Sequence, residues 1–98
     1  VCIDGQSRAS AIRLVSRGIL NTSLIHPREV FALALDSRAC AIILVHNHPS
    51  GDPTPSQDDV RVTTAIQAAG RMMEIPLHDH IIIGSGGRFV SLQESGVM

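Results

Sequence analysis

Residues 39–73 read ACAIILVHNHPSGDPTPSQDDVRVTTAIQAAGRMM, and this stretch divides into an apolar, a polar and a periodic part. The apolar part, Ala39 to Val45, is rich in branched side chains and predicts a central strand covered on both faces. The periodic part, from about Ser56 to Met73, predicts an amphipathic helix because apolar residues recur at helical spacing. These residues are Val62, Ala65, Ile66, Ala69, Met72 and Met73. The polar part therefore leaves the carboxyl end of a strand, where α/β sheets usually carry a site.

The amino-terminal part of the chain predicts a hairpin. Its first strand ends over Val1 to Ile3, and its second runs from about Ala9 to Ser16. Ile12 and Leu14 alternate with their neighbours in the second strand, so we expect one face of it to be buried. A loop or bulged continuation is expected over Gly18 to Ile25.

A further helix and a second hairpin are predicted on either side of the central stretch. Pro27 suits the first turn of a helix that should end near residues 36–38. After Pro76, Leu77 to Ile83 reads as a strand, and residues 84–87 form a glycine-rich turn to a partner strand from Arg88 to Leu92.

Length, charge and composition narrow the class of protein. A chain of 98 residues makes a single domain, and its longest apolar run is far too short to cross a bilayer. The net charge is −1, the arginines are scattered and aromatic residues make up 2%. The sequence therefore shows neither a basic cluster for phosphates nor an aromatic surface for base stacking. Cys2 and Cys40 form no CxxC pair and are expected to be reduced core thiols of a cytoplasmic protein. Because Val1 reads as mid-strand, we expect a segment upstream. The residues point to no particular oligomeric state.

Three side chains of the polar part predict a metal site. His46 and His48 lie two residues apart and share a face of an extended segment, and Asp59 follows just inside the predicted helix. Asp59 precedes Val62 by three residues and should point to the buried side. Two imidazoles and a carboxylate make the three protein ligands of a catalytic zinc, which keeps a position for water. The alternative is that His46 and His48 are turn residues whose side chains form hydrogen bonds with the loop. It would leave a buried, poorly paired polar cluster, so we favour the metal.

Three neighbouring residues have two interpretations each. Ser56 and Asp59 have the spacing of a capping box, but a serine at that helix start would also stand where it can donate to an oxyanion on a metal-polarised carbonyl. The spacing fits both roles of Ser56 equally. Asp79 and His80 are candidates for partners that orient a ligand imidazole, although a hydrogen-bonded core pair is the slightly preferred interpretation.

The polar part resembles a known motif. His46-x-His48-Pro-Ser-Gly with Ser56-x-x-Asp59 is similar to the JAMM metalloprotease motif in the form found in the RadC family. Residues 26–30, 79–84 and 89–91 also resemble RadC, so the likeness covers essentially the whole chain as a single domain, 1–98. It implies an α/β (α+β) fold of the MPN or JAB type, which is a mixed, curved β-sheet flanked by helices and related in architecture to cytidine deaminases.

The resemblance also implies an activity. Zinc would be held by His46, His48, Asp59 and a water, and Ser56 would stabilise the oxyanion during attack on an amide or isopeptide carbonyl of a peptide or protein substrate. The family's catalytic Glu lies on an earlier strand, which places it upstream of Val1, so we expect the isolated 98 residues to be inactive. Many members carry a helix-hairpin-helix region before this domain, and any DNA contact is expected from that missing part.

Three functional hypotheses remain open from the sequence. The leading one is a zinc-dependent hydrolase of a peptide-like bond in a protein historically linked to DNA repair. The alternative is a non-catalytic module of DNA-repair assemblies, whose metal site is structural or vestigial. A metal-dependent nuclease ranks last, because it rests on the family's historical name. A His₂Asp site with water also accepts iron, nickel or manganese.

Overall fold

The computed structural model describes residues 1–15 and 25–98. Within these ranges, five strands form one mixed sheet in the order β2-β1-β3-β4-β5, accompanied by two helices. The elements are β1 Cys2–Ile3, β2 Ala9–Ala11, α1 Pro27–Asp36, β3 Ala41–Asn47, α2 Gln57–Met73, β4 Leu77–Ile83 and β5 Phe89–Ser91. This architecture confirms the α+β fold with a mixed sheet and flanking helices. No helix among the described residues is both long and apolar enough to cross a membrane.

The centre of the fold is the unit β3-α2-β4. The two strands run parallel with Leu44 opposite His80 and His46 opposite Ile82, and all other strand pairs are antiparallel. A parallel pair requires a crossover, and α2 provides it. The predicted central position of the apolar strand is thus confirmed, and its carboxyl end lies beside the start of α2. The prediction that both of its faces are covered is wrong, because Val45 is 45% exposed.

The core packs between the sheet and the two helices. It contains Cys2, Val30, Phe31, Ala34, Ala39, Ile42, Val62, Ile66, Ile75 and Leu77. The predicted helix from Pro27 to Asp36 is confirmed. It begins at an N-cap, His26, whose Nδ1 accepts from the Arg28 backbone N–H at 3.0 Å. Both cysteines are free thiols. Cys2 is buried as predicted, but the prediction for Cys40 is wrong: it is exposed and lies in the bend before β3, which begins at Ala41.

The predicted second strand is confirmed at Ala9–Ala11 and wrong over residues 12–15, and Ser16 lies outside the described residues. The strand is limited to Ala9–Ala11, and Ile12 and Leu14 are 83% and 66% exposed instead of buried. The physical reason is the partner, since β1 has two residues and its pairing with β2 ends at Cys2 opposite Ala11. The predicted loop from Gly18 to Ile25 lies outside the described residues, apart from Ile25 itself.

The predicted apolar face of α2 is correct at Val62 and Ile66, which are buried. It is wrong at Ala65, which is exposed, and at the end of the helix, where Met72 is 87% exposed and Met73 is also exposed. The reason is the chain that follows: Glu74 adopts a left-handed conformation, and the Ile75 N–H then bonds back to the Gly70 carbonyl at 2.9 Å. Ile75 is buried, so it fills the part of the core that the helical spacing had assigned to the two methionines.

Candidate metal centre

Three predicted side chains converge at the carboxyl end of β3. His46 Nε2 lies 3.2 Å from Asp59 Oδ1, and His48 Nε2 lies 2.9 Å from Asp59 Oδ2. Each of the three residues offers one ligand atom, and these three atoms all lie within 4.8 Å of one another. Asp59 is fully buried, whereas both imidazoles are partly exposed. The arrangement is therefore closed on the protein side and open on the solvent side.

A capping box fixes the carboxylate. Ser56 is the N-cap of α2, its hydroxyl accepts from the Asp59 N–H at 3.0 Å, and its own N–H donates to Asp59 Oδ2 at 2.7 Å. The capping interpretation of Ser56 thus has direct geometric support. It does not exclude the other interpretation, because a hydroxyl that accepts a hydrogen bond retains its own proton for donation.

The hydrogen bond at His48 determines which of its nitrogens carries the proton. His48 Nδ1 lies 2.8 Å from the backbone carbonyl oxygen of Asp52. A carbonyl only accepts, so Nδ1 carries a hydrogen, and the other ring nitrogen, Nε2, faces Asp59. The loop contributes here through the backbone of Asp52, which is itself an exposed residue.

The environment of His46 and of His80 favours the neutral form of each imidazole. Burial lowers the pKa of His46, Asp59 opposes this effect, and His48 adds to it. Burial also lowers the pKa of His80 to about 4, and the nearby His46 adds to that effect. A neutral imidazole is the form that ligates metals.

The donor set fits a divalent cation. His48 Nε2 lies 2.9 Å from a carboxylate oxygen of Asp59. A hydrogen on Nε2, or a metal cation between the two atoms, makes such a contact favourable. Two imidazole nitrogens and one carboxylate are also a donor set that catalytic zinc sites use.

His80 and Thr63 stand behind His46. His80 Nε2 lies 2.9 Å from His46 Nδ1, and His80 Nδ1 lies 2.6 Å from the Thr63 hydroxyl. The sequence prediction named His80 but missed Thr63. A signal was present, because Thr63 follows Asp59 by four residues and so lies on the same face of the helix.

Asp79 is directed elsewhere. Its carboxylate accepts from the backbone N–H groups of His80 at 2.7 Å and Gln93 at 3.1 Å, and from the Ser91 hydroxyl. These contacts tie β4 to β5 and to the turn after it. Among the described hydrogen bonds, Asp79 makes none to His46 or His48, so of the two candidate orienting residues His80 alone contacts a ligand imidazole.

The turn between β4 and β5, residues 84–88, contacts the loop between β3 and α2, residues 48–56, which we call the ligand loop. The sequence did not predict this contact. The Gly51 carbonyl accepts from the Ser85 N–H and from Arg88 Nη2, both at 2.8 Å. The His48 N–H donates to the Ile83 carbonyl at 3.0 Å. Gly84 lies so close that a Cβ on it would stand 2.3 Å from the Gly51 oxygen. The signal was the glycine-rich turn, but sequence does not show which loop packs against it.

A mixed sheet whose central strand ends in His-x-His, with an Asp in the first turn of the crossover helix, defines a domain of the JAB or MPN class. The sequence model of the RadC-like JAB domain matches residues 1–97, and on this match the chain belongs to the RadC family. It is 52% identical over 96 residues to a UPF0758 protein of Caldanaerobacter subterraneus subsp. tengcongensis, covering 98% of this chain and 41% of that protein.

Other relatives show the same coverage. A UPF0758 protein of Pelobacter propionicus is 51% identical over 96 residues, covering 98% of this chain and 42% of that protein. A UPF0758 protein of Methanosarcina barkeri is 46% identical over 96 residues, with the same two coverages. The chain thus spans about two fifths of the length of the curated relatives that it matches.

Proposed function

We propose that this domain binds one zinc ion through His46, His48 and Asp59 and that, within a longer protein, it hydrolyses an amide or isopeptide bond of a peptide or protein. The observation that supports the proposal is the convergence of imidazole nitrogens and a buried carboxylate on one point that is open to solvent. A bound divalent ion supplies a Lewis acid that polarises a carbonyl and lowers the pKa of water.

The residues of the chain contribute orientation and charge stabilisation. Ser56 stands at the amino end of α2, and its hydroxyl proton remains available for a developing oxyanion. The helix dipole adds positive potential at the same place. The capping box holds Asp59 in position, so the substrate-facing hydroxyl and the carboxylate are fixed by the same two hydrogen bonds.

The general base is proposed to come from outside these 98 residues. Asp52 is bonded through its carboxylate to the Thr54 hydroxyl at 2.7 Å, and this bond, with that of the Thr54 N–H, lowers the pKa of Asp52. Asp58 is paired with Arg61 at 2.5 Å. Both acids are therefore engaged away from the three converging side chains. A carboxylate elsewhere in the longer protein is the candidate for the base.

Metal analysis of the isolated domain tests the first half of the proposal. After dialysis against zinc, mass spectrometry should find one zinc ion per chain for wild type and for His78→Ala, a control at an exposed histidine of β4. Zinc should be lost from His46→Ala and from Asp59→Asn. Equal zinc content in all four proteins would sink the assignment of the ligands.

Hydrolysis tests the second half and needs the longer protein. With zinc bound, it should cleave members of a panel of peptide and isopeptide substrates, and His46→Ala should abolish cleavage. A zinc-loaded protein that leaves the whole panel intact would favour the second candidate function, a non-catalytic module. The observation behind this second candidate is that Asp52 and Asp58 are both engaged elsewhere, which leaves no base assigned within the described residues. In that case, His46→Ala in the longer protein should leave biological activity unchanged.

A further inference from the structure

We propose that Thr63 and His80 form a relay that fixes the tautomer of His46, so that His46 Nε2 is held ready for a metal. This proposal rests on the metal site proposed above and assigns positioning roles to two buried side chains that the mechanism does not otherwise use. Thr63 is 2% exposed and His80 is 1% exposed.

The direction of each hydrogen bond follows from one carbonyl group. The Thr63 hydroxyl lies 2.7 Å from the backbone carbonyl oxygen of Asp59 and 2.6 Å from His80 Nδ1. A hydroxyl has one proton, and a carbonyl oxygen only accepts, so that proton goes to Asp59. The Thr63 oxygen must then accept at its second contact, and His80 Nδ1 carries the hydrogen.

The hydrogen on His80 Nδ1 in turn fixes the tautomer of His46. Since His80 has its hydrogen on Nδ1, and its buried ring bonds to the Thr63 hydroxyl and the His46 ring and to no carboxylate among the described hydrogen bonds, the ring is neutral and Nε2 is an acceptor. Its partner at 2.9 Å, His46 Nδ1, must donate and therefore carries the hydrogen of His46. Nε2 of His46 is left as a lone pair, and it is the atom 3.2 Å from Asp59 Oδ1.

The relay connects two ligands that come from different elements. It starts at His46 on β3, crosses His80 on β4 and Thr63 on α2, and ends on the backbone of Asp59, whose side chain is itself a proposed ligand. A metal bound between His46 and Asp59 would close a ring. Because Thr63 and His80 are both buried, solvent water cannot replace either side chain's hydrogen-bond partner.

The tautomer of His46 is measurable without metal. Long-range ¹H–¹⁵N correlation spectra of the metal-free wild-type chain should show hydrogen on Nδ1 and a bare Nε2 for His46, and the same pattern for His80. Hydrogen on His46 Nε2 would overturn the relay. This reading stands whether or not the protein binds zinc, so it separates a failure of the relay from a failure of the proposed metal site.

Zinc affinity tests the consequence, by competition with a chromophoric chelator. Thr63→Val keeps the shape of the side chain but removes the hydroxyl, and it should weaken zinc binding by about tenfold or more. Thr63→Ser keeps the hydroxyl and should bind within about twofold of wild type. Thr64→Val is the matched control, because its hydroxyl makes the equivalent helix bond, to Val60 at 2.9 Å, but is exposed. Wild-type affinity in folded Thr63→Val would contradict the proposal.

His80 gives an independent pair of variants. In His80→Gln the amide oxygen can accept from His46 while the amide nitrogen donates to Thr63, so affinity should stay within about threefold of wild type, whereas His80→Leu should lose about tenfold or more. Circular dichroism melting of each variant shows which ones are folded. Equal losses in folded His80→Gln and His80→Leu would mean that volume matters and hydrogen bonding does not, and would overturn the relay.

Discussion

The contact between the two turns of the site gives a quantitative test in Gly84→Ala. A Cβ at this position would lie 2.3 Å from the Gly51 oxygen and 2.7 Å from Pro53 Cδ, and real Cβ contacts are essentially never shorter than 3.0 Å. The ligand loop must therefore retreat by the difference between 3.0 and 2.3 Å, about 0.7 Å. The His48 carbonyl accepts from the Gly51 N–H at 2.9 Å, so the displacement is passed to a proposed ligand.

The size of the effect follows from the tolerance of metal sites. Metal–ligand distances vary by only about 0.2 Å around their usual values, so a shift of this size should lower zinc affinity by about tenfold to a hundredfold. The forced contact should also destabilise the fold by about 1–3 kcal/mol. For a domain of this size each kcal/mol lowers the melting temperature by roughly 4–8 °C.

The assay is zinc competition combined with thermal melting, and Gly5→Ala is the control. A Cβ at Gly5 would meet its nearest atom, Cys40 Sγ, at 3.8 Å, which is an ordinary contact. The control should keep wild-type affinity and melt within a few degrees of wild type. A Gly84→Ala protein that binds zinc like wild type and melts at the same temperature would refute the claim that this turn positions the ligand loop.

Three further predictions concern metal, acid and the helix cap. Zinc at a hundred times its dissociation constant should stabilise the wild type by about 2.7 kcal/mol and raise its melting temperature, and chelation should reverse the rise; no rise would contradict zinc binding. In the metal-free domain, the folded-state pKa of His80 is about 4, below the ordinary 6.5, so the unfolded chain takes up the proton first. The free energy of unfolding should therefore be highest above pH 6.5 and fall by up to about 3 kcal/mol toward pH 4, and the fall should be smaller in His80→Gln. Calorimetry that shows the same pH dependence in wild type and His80→Gln would contradict this prediction. Ser56→Ala should cost about 1 kcal/mol of stability and slow hydrolysis by the longer protein about a hundredfold to a thousandfold at unchanged zinc content; a purely structural role would leave the rate unchanged.

Sequence predicted the parts of the site that depend on local periodicity. The period of two in a strand places His46 and His48 on one face, and the helical period places Asp59 on the face of Val62. Both rules act within a single element. The strand-helix-strand order then brought the three residues together, because the carboxyl end of β3 faces the start of the helix that follows it.

The parts that sequence missed depend on contacts between distant segments. Ile12 and Leu14 have a strand pattern, but the length of β1 decides where pairing stops. Thr63 is unremarkable until His80 arrives from β4, which pairs in parallel beside β3. Gly84 likewise gains its role from the Gly51 carbonyl, 33 positions earlier in the chain. Periodicity carries no information on such pairs, since each member fits its own element equally well without the other.

The most direct test of the metal site is a crystal structure of the zinc-soaked domain, with anomalous scattering recorded at the zinc absorption edge. We expect one peak, about 2.0–2.1 Å from Nε2 of His46 and of His48 and about 2.0–2.2 Å from a carboxylate oxygen of Asp59. A zinc ion held by other residues, or no peak among these three side chains, would contradict it.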